Sequence, residues 1–178
     1  RHLRRTILGL NNVRTPPQKP AGTVSKPKRE QSVTPNMPVA HDRTGRKWMI
    51  GIGASTGGVQ AIEAVLKTMP VDCPPILIVQ HMPEGFTAAF AERLNSICSI
   101  AVREAVDGDQ PQAGTALIAP GGQFHMILEA SSQRVRLIEG DPVCYSRPAV
   151  DVLFKSLASA LGPRVVSIVL PGMGSDGA

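Results

Sequence analysis

The stretch Trp48–Met69, WMIGIGASTGGVQAIEAVLKTM, decides the fold. Trp48, Met49, Ile50 and Ile52 form an apolar run too short for a helix and closed by glycines, which predicts a buried strand. Gly53-Ala54-Ser55-Thr56-Gly57-Gly58 then turns the chain with almost no side-chain bulk. Val59, Ile62, Leu66 and Met69 recur at helical spacing, with Glu63 and Lys67 four apart on a more polar face, and Pro70 closes the helix. A strand feeding a helix through small residues places Ser55 at the strand's carboxyl end. There its hydroxyl is exposed and the free N–H groups of the helix start can stabilise negative charge.

Residues 53–57 satisfy G-x-S-x-G, the pattern of a strained strand-to-helix turn that presents a nucleophilic serine. The flanking glycines fit because such a turn leaves no room for a Cβ beside the serine. Five residues alone are a weak signal in a chain with 17 glycines. The strand before them and the helix after them strengthen it.

Continuing outward, Ile76-Leu77-Ile78-Val79 is a second continuous apolar run. Strand, helix and strand in so short a span describe a βαβ unit and a parallel sheet. Gln80-His81-Met82-Pro83 follows, so His81 emerges at the same sheet edge as Ser55, because parallel strands share their carboxyl ends. A helix is predicted from about Thr87 to Ser96, with Phe86, Phe90 and Leu94 on one face. Over residues 101–147, short segments at Thr115–Ala119, His125–Glu129 and Val135–Ile138 alternate with turn residues. They read as small strands and hairpins on the edge of the parallel core. His125 is structural or substrate-proximal in this reading. Helical spacing returns from Pro148 to Leu161, and Val165–Leu170 reads as a third buried strand. It runs into Pro171-Gly172-Met173-Gly174-Ser175-Asp176-Gly177, which brings Asp176 to the edge that holds Ser55 and His81. The fold class is α/β: a mostly parallel, doubly wound, Rossmann-like sheet flanked by helices, with a small antiparallel hairpin region.

Charge divides the chain at residue 47. Residues 1–47 hold 11 of the 19 Lys and Arg but only Glu30 and Asp42 as acids, a net of +9; residues 48–178 carry 8 basic against 12 acidic residues, a net of −4. The Pro-, Lys-, Thr- and Ser-rich start cannot bury enough surface to offset its chain entropy, and reads as a disordered basic linker. Its scattered charges have no interleaved aromatic residues for base stacking, which argues against a nucleic-acid arm. Cys73, Cys98 and Cys144 are odd in number and lack C-x-x-C spacing, against a disulfide framework or a zinc site. No apolar run nears the roughly 20 residues that span a bilayer. A cytoplasmic domain without membrane insertion, metal or cofactor is expected.

A serine, a histidine and an aspartate at parallel strand ends supply the three roles of acyl transfer: nucleophile, proton carrier and the carboxylate that sets the imidazole's tautomer. The order Ser, His, Asp differs from the Ser, Asp, His order of α/β-hydrolases. Gly51-Ile52-Gly53-Ala54-Ser55-Thr56-Gly57-Gly58, Gln80-His81-Met82, Ala119-Pro120-Gly121-Gly122 with His125, Arg147-Pro148-Ala149-Val150-Asp151 and Gly172-Met173-Gly174-Ser175-Asp176-Gly177 closely resemble the chemotaxis protein-glutamate methylesterase family, in its C-terminal esterase domain. The resemblance covers essentially all of residues 48–178. It implies hydrolysis of glutamyl methyl esters on methyl-accepting chemotaxis receptors, with release of methanol, and deamidation of receptor glutamines as a second activity. By position it makes Ser55 the nucleophile, His81 the general base and Asp176 the orienting carboxylate. Met173 and Thr56 match the donors of backbone N–H groups to the oxyanion.

Members of that family usually begin with a phosphoacceptor receiver domain. Residues 1–47 are too short for one and look like the linker that follows it, so a receiver is expected only in a longer protein. The family also continues past the aspartate motif, so residues 48–178 read as a catalytic domain shortened at its C-terminus. Two rival readings are a non-catalytic interaction domain on the same fold and a dinucleotide-binding module. The latter is weakened because Thr56 stands where G-x-G-x-x-G needs its last glycine, and Gln80-His81 where a ribose-binding acid belongs.

Overall fold

The computed structural model describes residues 48–170, 172 and 175–177. The basic segment read as a linker lies outside them. Among the described residues seven strands and three α-helices follow in the order β1 (Met49–Ala54), α1 (Gly58–Lys67), β2 (Ile76–Gln80), α2 (Phe86–Ile97), β3 (Ala101–Glu104), β4 (Thr115–Ile118), β5 (Phe124–Leu128), β6 (Val135–Glu139), α3 (Val150–Leu161) and β7 (Val165–Val169). Five strands form a wholly parallel sheet in the order β3-β4-β2-β1-β7, and β5 pairs with β6 as a separate antiparallel ribbon. None of the helices described is long and apolar enough to cross a membrane.

The period of two along each strand sorts the core into two layers. Ile76 and Ile78 of β2, with Ile52, Val102, Ala116 and Ile118, face Ile62 and Leu66 of α1 and Phe90 and Leu94 of α2. Leu77 and Val79 of β2 point the other way, with Met49 and Leu117, onto Leu153, Leu157 and Leu161 of α3 and onto Met126 and Leu128 of β5. Both faces of the sheet are therefore covered, which is why its central strands read as unbroken apolar runs.

β1 runs on through its glycines where the sequence reading ended it, and Gly53 has a packing role there. A Cβ on Gly53 would stand 2.2 Å from Cγ1 of Val150, and one on Gly51 would stand 2.7 Å from Cδ1 of Leu157. Their absence lets α3 lie directly on β1. Hydrogen bonds continue past the strand ends, with His81 N–H donating to Ala54 at 3.1 Å and Leu170 N–H to Gly53 at 2.9 Å. The exits of β2, β1 and β7 are thus fastened side by side.

Two expectations are corrected. Thr115–Ala119 is not a hairpin strand. Its apolar centre is buried throughout and pairs in parallel with both β2 and β3, inside the main sheet. Val165–Val169 is not a buried strand among the described residues. It has β1 as its one partner there, and Val166 and Val169 are 45% and 56% exposed. β3 has no counterpart in the sequence reading because Val102 is its only buried residue, the sparse pattern of an edge strand.

Candidate active site

The chain leaves β1 for β2 over one face of the sheet and enters β7 from α3 on the other. The crevice at the carboxyl ends of these strands is therefore a topological switch point, where α/β sheets bind ligands. Ser55 follows β1 directly, His81 follows β2, and Asp176 lies on the segment after β7. All three line one small cleft, with Gly53, Val150, Leu170 and Gly172. Gly172 backs so closely on the serine that a Cβ there would stand 2.7 Å from Cβ of Ser55.

The imidazole and the carboxylate are in contact. Nε2 of His81 lies 2.9 Å from Oδ2 of Asp176. That same oxygen accepts the Val150 N–H at 2.7 Å, and Oδ1 accepts the Asp151 N–H at 2.8 Å. Asp176 thus holds the first turn of α3, where unpaired N–H groups and the helix dipole favour an anion, and its side chain is only 3% exposed. One carboxylate thus contacts both the start of α3 and the His81 ring. Because the carboxylate accepts, Nε2 carries the proton, and in the neutral ring Nδ1 keeps the lone pair. The Ser146 hydroxyl lies 3.4 Å from Nδ1. Ser55 and His81 line the same cleft without a hydrogen bond between their side chains.

The turn that carries Asp176 is held in return. Oδ1 of Asp151 accepts the Gly177 N–H at 3.1 Å, so residues 150–151 and 176–177 clasp one another in both directions. Sequence reasoning used Asp151 only as part of a motif, and missed Ser146 altogether. A helix-starting aspartate 26 residues before the glycine it holds carries no signal of this contact. The Cys144 thiol and the carboxylates of Asp151 and Asp176 lie within 4.8 Å of one another. Each carboxylate oxygen of that group already accepts from an N–H or from the Lys155 ammonium, so the group is a hydrogen-bond junction and not a built cation site.

Thr56 is exposed at the corner between β1 and α1, and its N–H has no acceptor among the described residues. Met173, matched by resemblance to the second oxyanion donor, lies outside them. His125 takes the structural alternative. Buried, it accepts the Ala149 N–H on Nδ1 at 3.2 Å and donates from Nε2 to the Asp141 carbonyl at 3.0 Å.

A doubly wound parallel sheet whose three adjacent strands lead to a hydroxyl, an imidazole and an anchored carboxylate defines an α/β protein with the residue set of a serine hydrolase. The chain belongs to the CheB methylesterase family, whose family model matches residues 50–178. A protein-glutamate methylesterase/protein-glutamine glutaminase 2 of Cereibacter sphaeroides is 57% identical over 133 residues, covering 74% of this chain and 36% of that protein. A protein-glutamate methylesterase/protein-glutamine glutaminase of Agrobacterium fabrum is 50% identical over 143 residues, covering 80% of this chain and 40% of that protein. The chain therefore spans 36% and 40% of the length of these two relatives. Among solved structures, the Thermotoga maritima CheB methylesterase catalytic domain superposes with a TM-score of 0.70 at 37% identity, over 74% of this chain and 71% of that one.

Proposed function

We propose that residues 48–178 form a catalytic domain that hydrolyses glutamyl methyl esters on methyl-accepting chemotaxis receptors in the cytoplasm, releasing methanol. Deamidation of receptor glutamines would follow the same course, with ammonia leaving. The observation that carries this reading is the imidazole of His81 in one cleft with Ser55, its Nε2 bonded to a carboxylate that itself anchors a helix.

In the proposed cycle Nδ1 of His81 takes the Ser55 proton as Oγ attacks the ester carbonyl. Asp176 stabilises the imidazolium through Nε2–H, and the N–H groups of Thr56 and Met173 receive the oxyanion. Collapse of the tetrahedral intermediate breaks the C–O bond to methoxide, which takes the proton from Nδ1 and leaves as methanol. Water repeats the sequence on the acyl-Ser55 ester, returns the free carboxylate and restores the serine. No step calls for a metal or cofactor. In a longer protein a receiver domain would be the natural regulatory partner.

Methanol release from a methylated receptor fragment tests the reading. Ser55→Ala should fold normally and fall roughly 10³-fold or more in rate. Undiminished release from that variant would remove the serine mechanism.

A further inference from the structure

Gln80 ends β2 beneath the cleft and is only 3% exposed. Its Nε2 donates to the Ser55 carbonyl oxygen at 2.9 Å and to the His81 carbonyl oxygen at 3.2 Å. A backbone carbonyl only accepts, so the atom facing both must be the NH2 group, and chemistry fixes which way the amide points. Oε1 is left over Gly58, buried and without a hydrogen bond among the described residues. An unpaired buried acceptor is unfavourable. The amide therefore rests where it does because of its two contacts through nitrogen. It fits there because residue 58 is glycine: a Cβ on Gly58 would stand 2.0 Å from Oε1 and 3.1 Å from the amide carbon.

The Ser55 carbonyl oxygen has a second donor, the Gly58 N–H at 2.8 Å. Two donors on one oxygen set the plane of the peptide between Ser55 and Thr56. In a trans peptide the C=O and the following N–H point in opposite directions. Drawing the Ser55 carbonyl onto Gln80 and Gly58 thus turns the Thr56 N–H away from β2. We propose that Gln80 is a positioning residue: it aims the Thr56 N–H at the developing oxyanion and ties the backbone of the nucleophile to that of the base. This inference rests on the function proposed for Ser55 and Thr56. It also gives the second glycine of Gly57-Gly58 a task that a helix start alone does not require.

Gln80→Met keeps the length and removes the donor; Gly58→Ala keeps the glutamine but sets a Cβ 2.0 Å from its Oε1 and 2.6 Å from Cβ of Ala54, displacing the amide together with the end of β1. Both are compared with the unaltered chain and with Ser55→Ala in two assays, methanol release from a methylated receptor fragment and the rate of serine phosphonylation by a fluorophosphonate probe. A role in aiming the N–H predicts that Gln80→Met loses roughly 10- to 100-fold in kcat and in labelling rate, with KM little changed, because the donor acts on charge that develops only in the transition state. Gly58→Ala should reproduce this loss, and the double variant should be no slower than the slower single one. Normal rates in Gln80→Met beside an inactive Ser55→Ala would overturn the inference alone, as would a loss confined to KM or to thermal stability. A fully active Ser55→Ala would overturn the proposed function and this inference together.

Discussion

The carboxylate of Asp176 meets the imidazole of His81 at Nε2, 2.9 Å away, and leaves Nδ1 to the Ser146 hydroxyl at 3.4 Å. In the serine-protease arrangement the carboxylate sits on Nδ1 and the nucleophile on Nε2. Here the carboxylate is on the other ring nitrogen, Nε2, and the proposed mechanism accordingly gives the proton transfer to Nδ1. The reason is where the carboxylate stands: Asp176 is fixed by the Val150 and Asp151 N–H groups at the start of α3, and His81 must reach it from the end of β2. One carboxylate therefore holds the helix start and the His81 ring together.

Asp176→Asn should consequently fail twice. The amide has one acceptor oxygen for three N–H donors, and its NH2 would face an N–H group. The imidazole would also lose the partner that fixes its tautomer. We expect a fall in methanol release of roughly 10³- to 10⁴-fold, together with a lower Tm because donors are left unpaired at a buried site. Kinetics and thermal melts on the same preparation check both parts. A normal rate with only a lowered Tm would make Asp176 a helix anchor and nothing more.

The helix start that Asp176 grips is placed by a missing side chain. Val150 packs where a Cβ on Gly53 would be, at 2.2 Å from its Cγ1, so Gly53→Ala should push the first turn of α3 off β1 and drag the Asp176 contacts with it. Overpacking of this kind costs about 1–3 kcal/mol, and the rate should fall with it. Val150→Ala removes both clashing methyl groups. Adding it to Gly53→Ala should recover stability and part of the rate relative to Gly53→Ala alone. Two penalties that simply add would show that α3 is not seated by this contact.

How far the molecule was legible beforehand depends on how local each signal is. The β1–α1 corner and β2 announce themselves through unbroken apolar runs and a helical period, and parallel strand ends then bring Ser55, His81 and Asp176 to one edge without any side-chain detail. β4 was misplaced because its neighbours β3 and β5 are short and separated by turn residues. Which strand joins the main sheet is decided by pairing across the fold, with Ile76 to Ile78 of β2 against Ala116 to Ile118. The contacts of Gln80 and Asp151, both read in sequence only as members of motifs, were hidden for a related reason. Each acts through backbone groups 25 or 26 residues away in sequence, and no spacing records such a contact. Thr56 could be placed from the corner alone, whereas the role of Met173 came only from resemblance.

Away from the cleft, Asp109 gives the domain a defined response to acid. It closes the loop after β3, accepting from both terminal nitrogens of Arg103 at 2.5 Å and 2.8 Å and from the Val106 N–H at 2.8 Å. Its own carbonyl accepts the Val135 N–H, joining the loop to β6. Burial pushes the carboxyl up, but the Arg103 fork and the Val106 N–H more than offset it, so the group lies below its ordinary carboxylate value. A pKa lower in the folded than in the unfolded chain means stabilisation that is complete above the unfolded value, near pH 4. It is lost as the pH falls through the folded value. Asp109→Asn should therefore cost about 1–2 kcal/mol at neutral pH, discounted for the half-exposed arginine. The gap to the unaltered chain should narrow as melts are repeated down to about pH 2, where the native carboxyl is protonated too. A gap that stayed constant across that range would show that Asp109 contributes through shape and not through its charge.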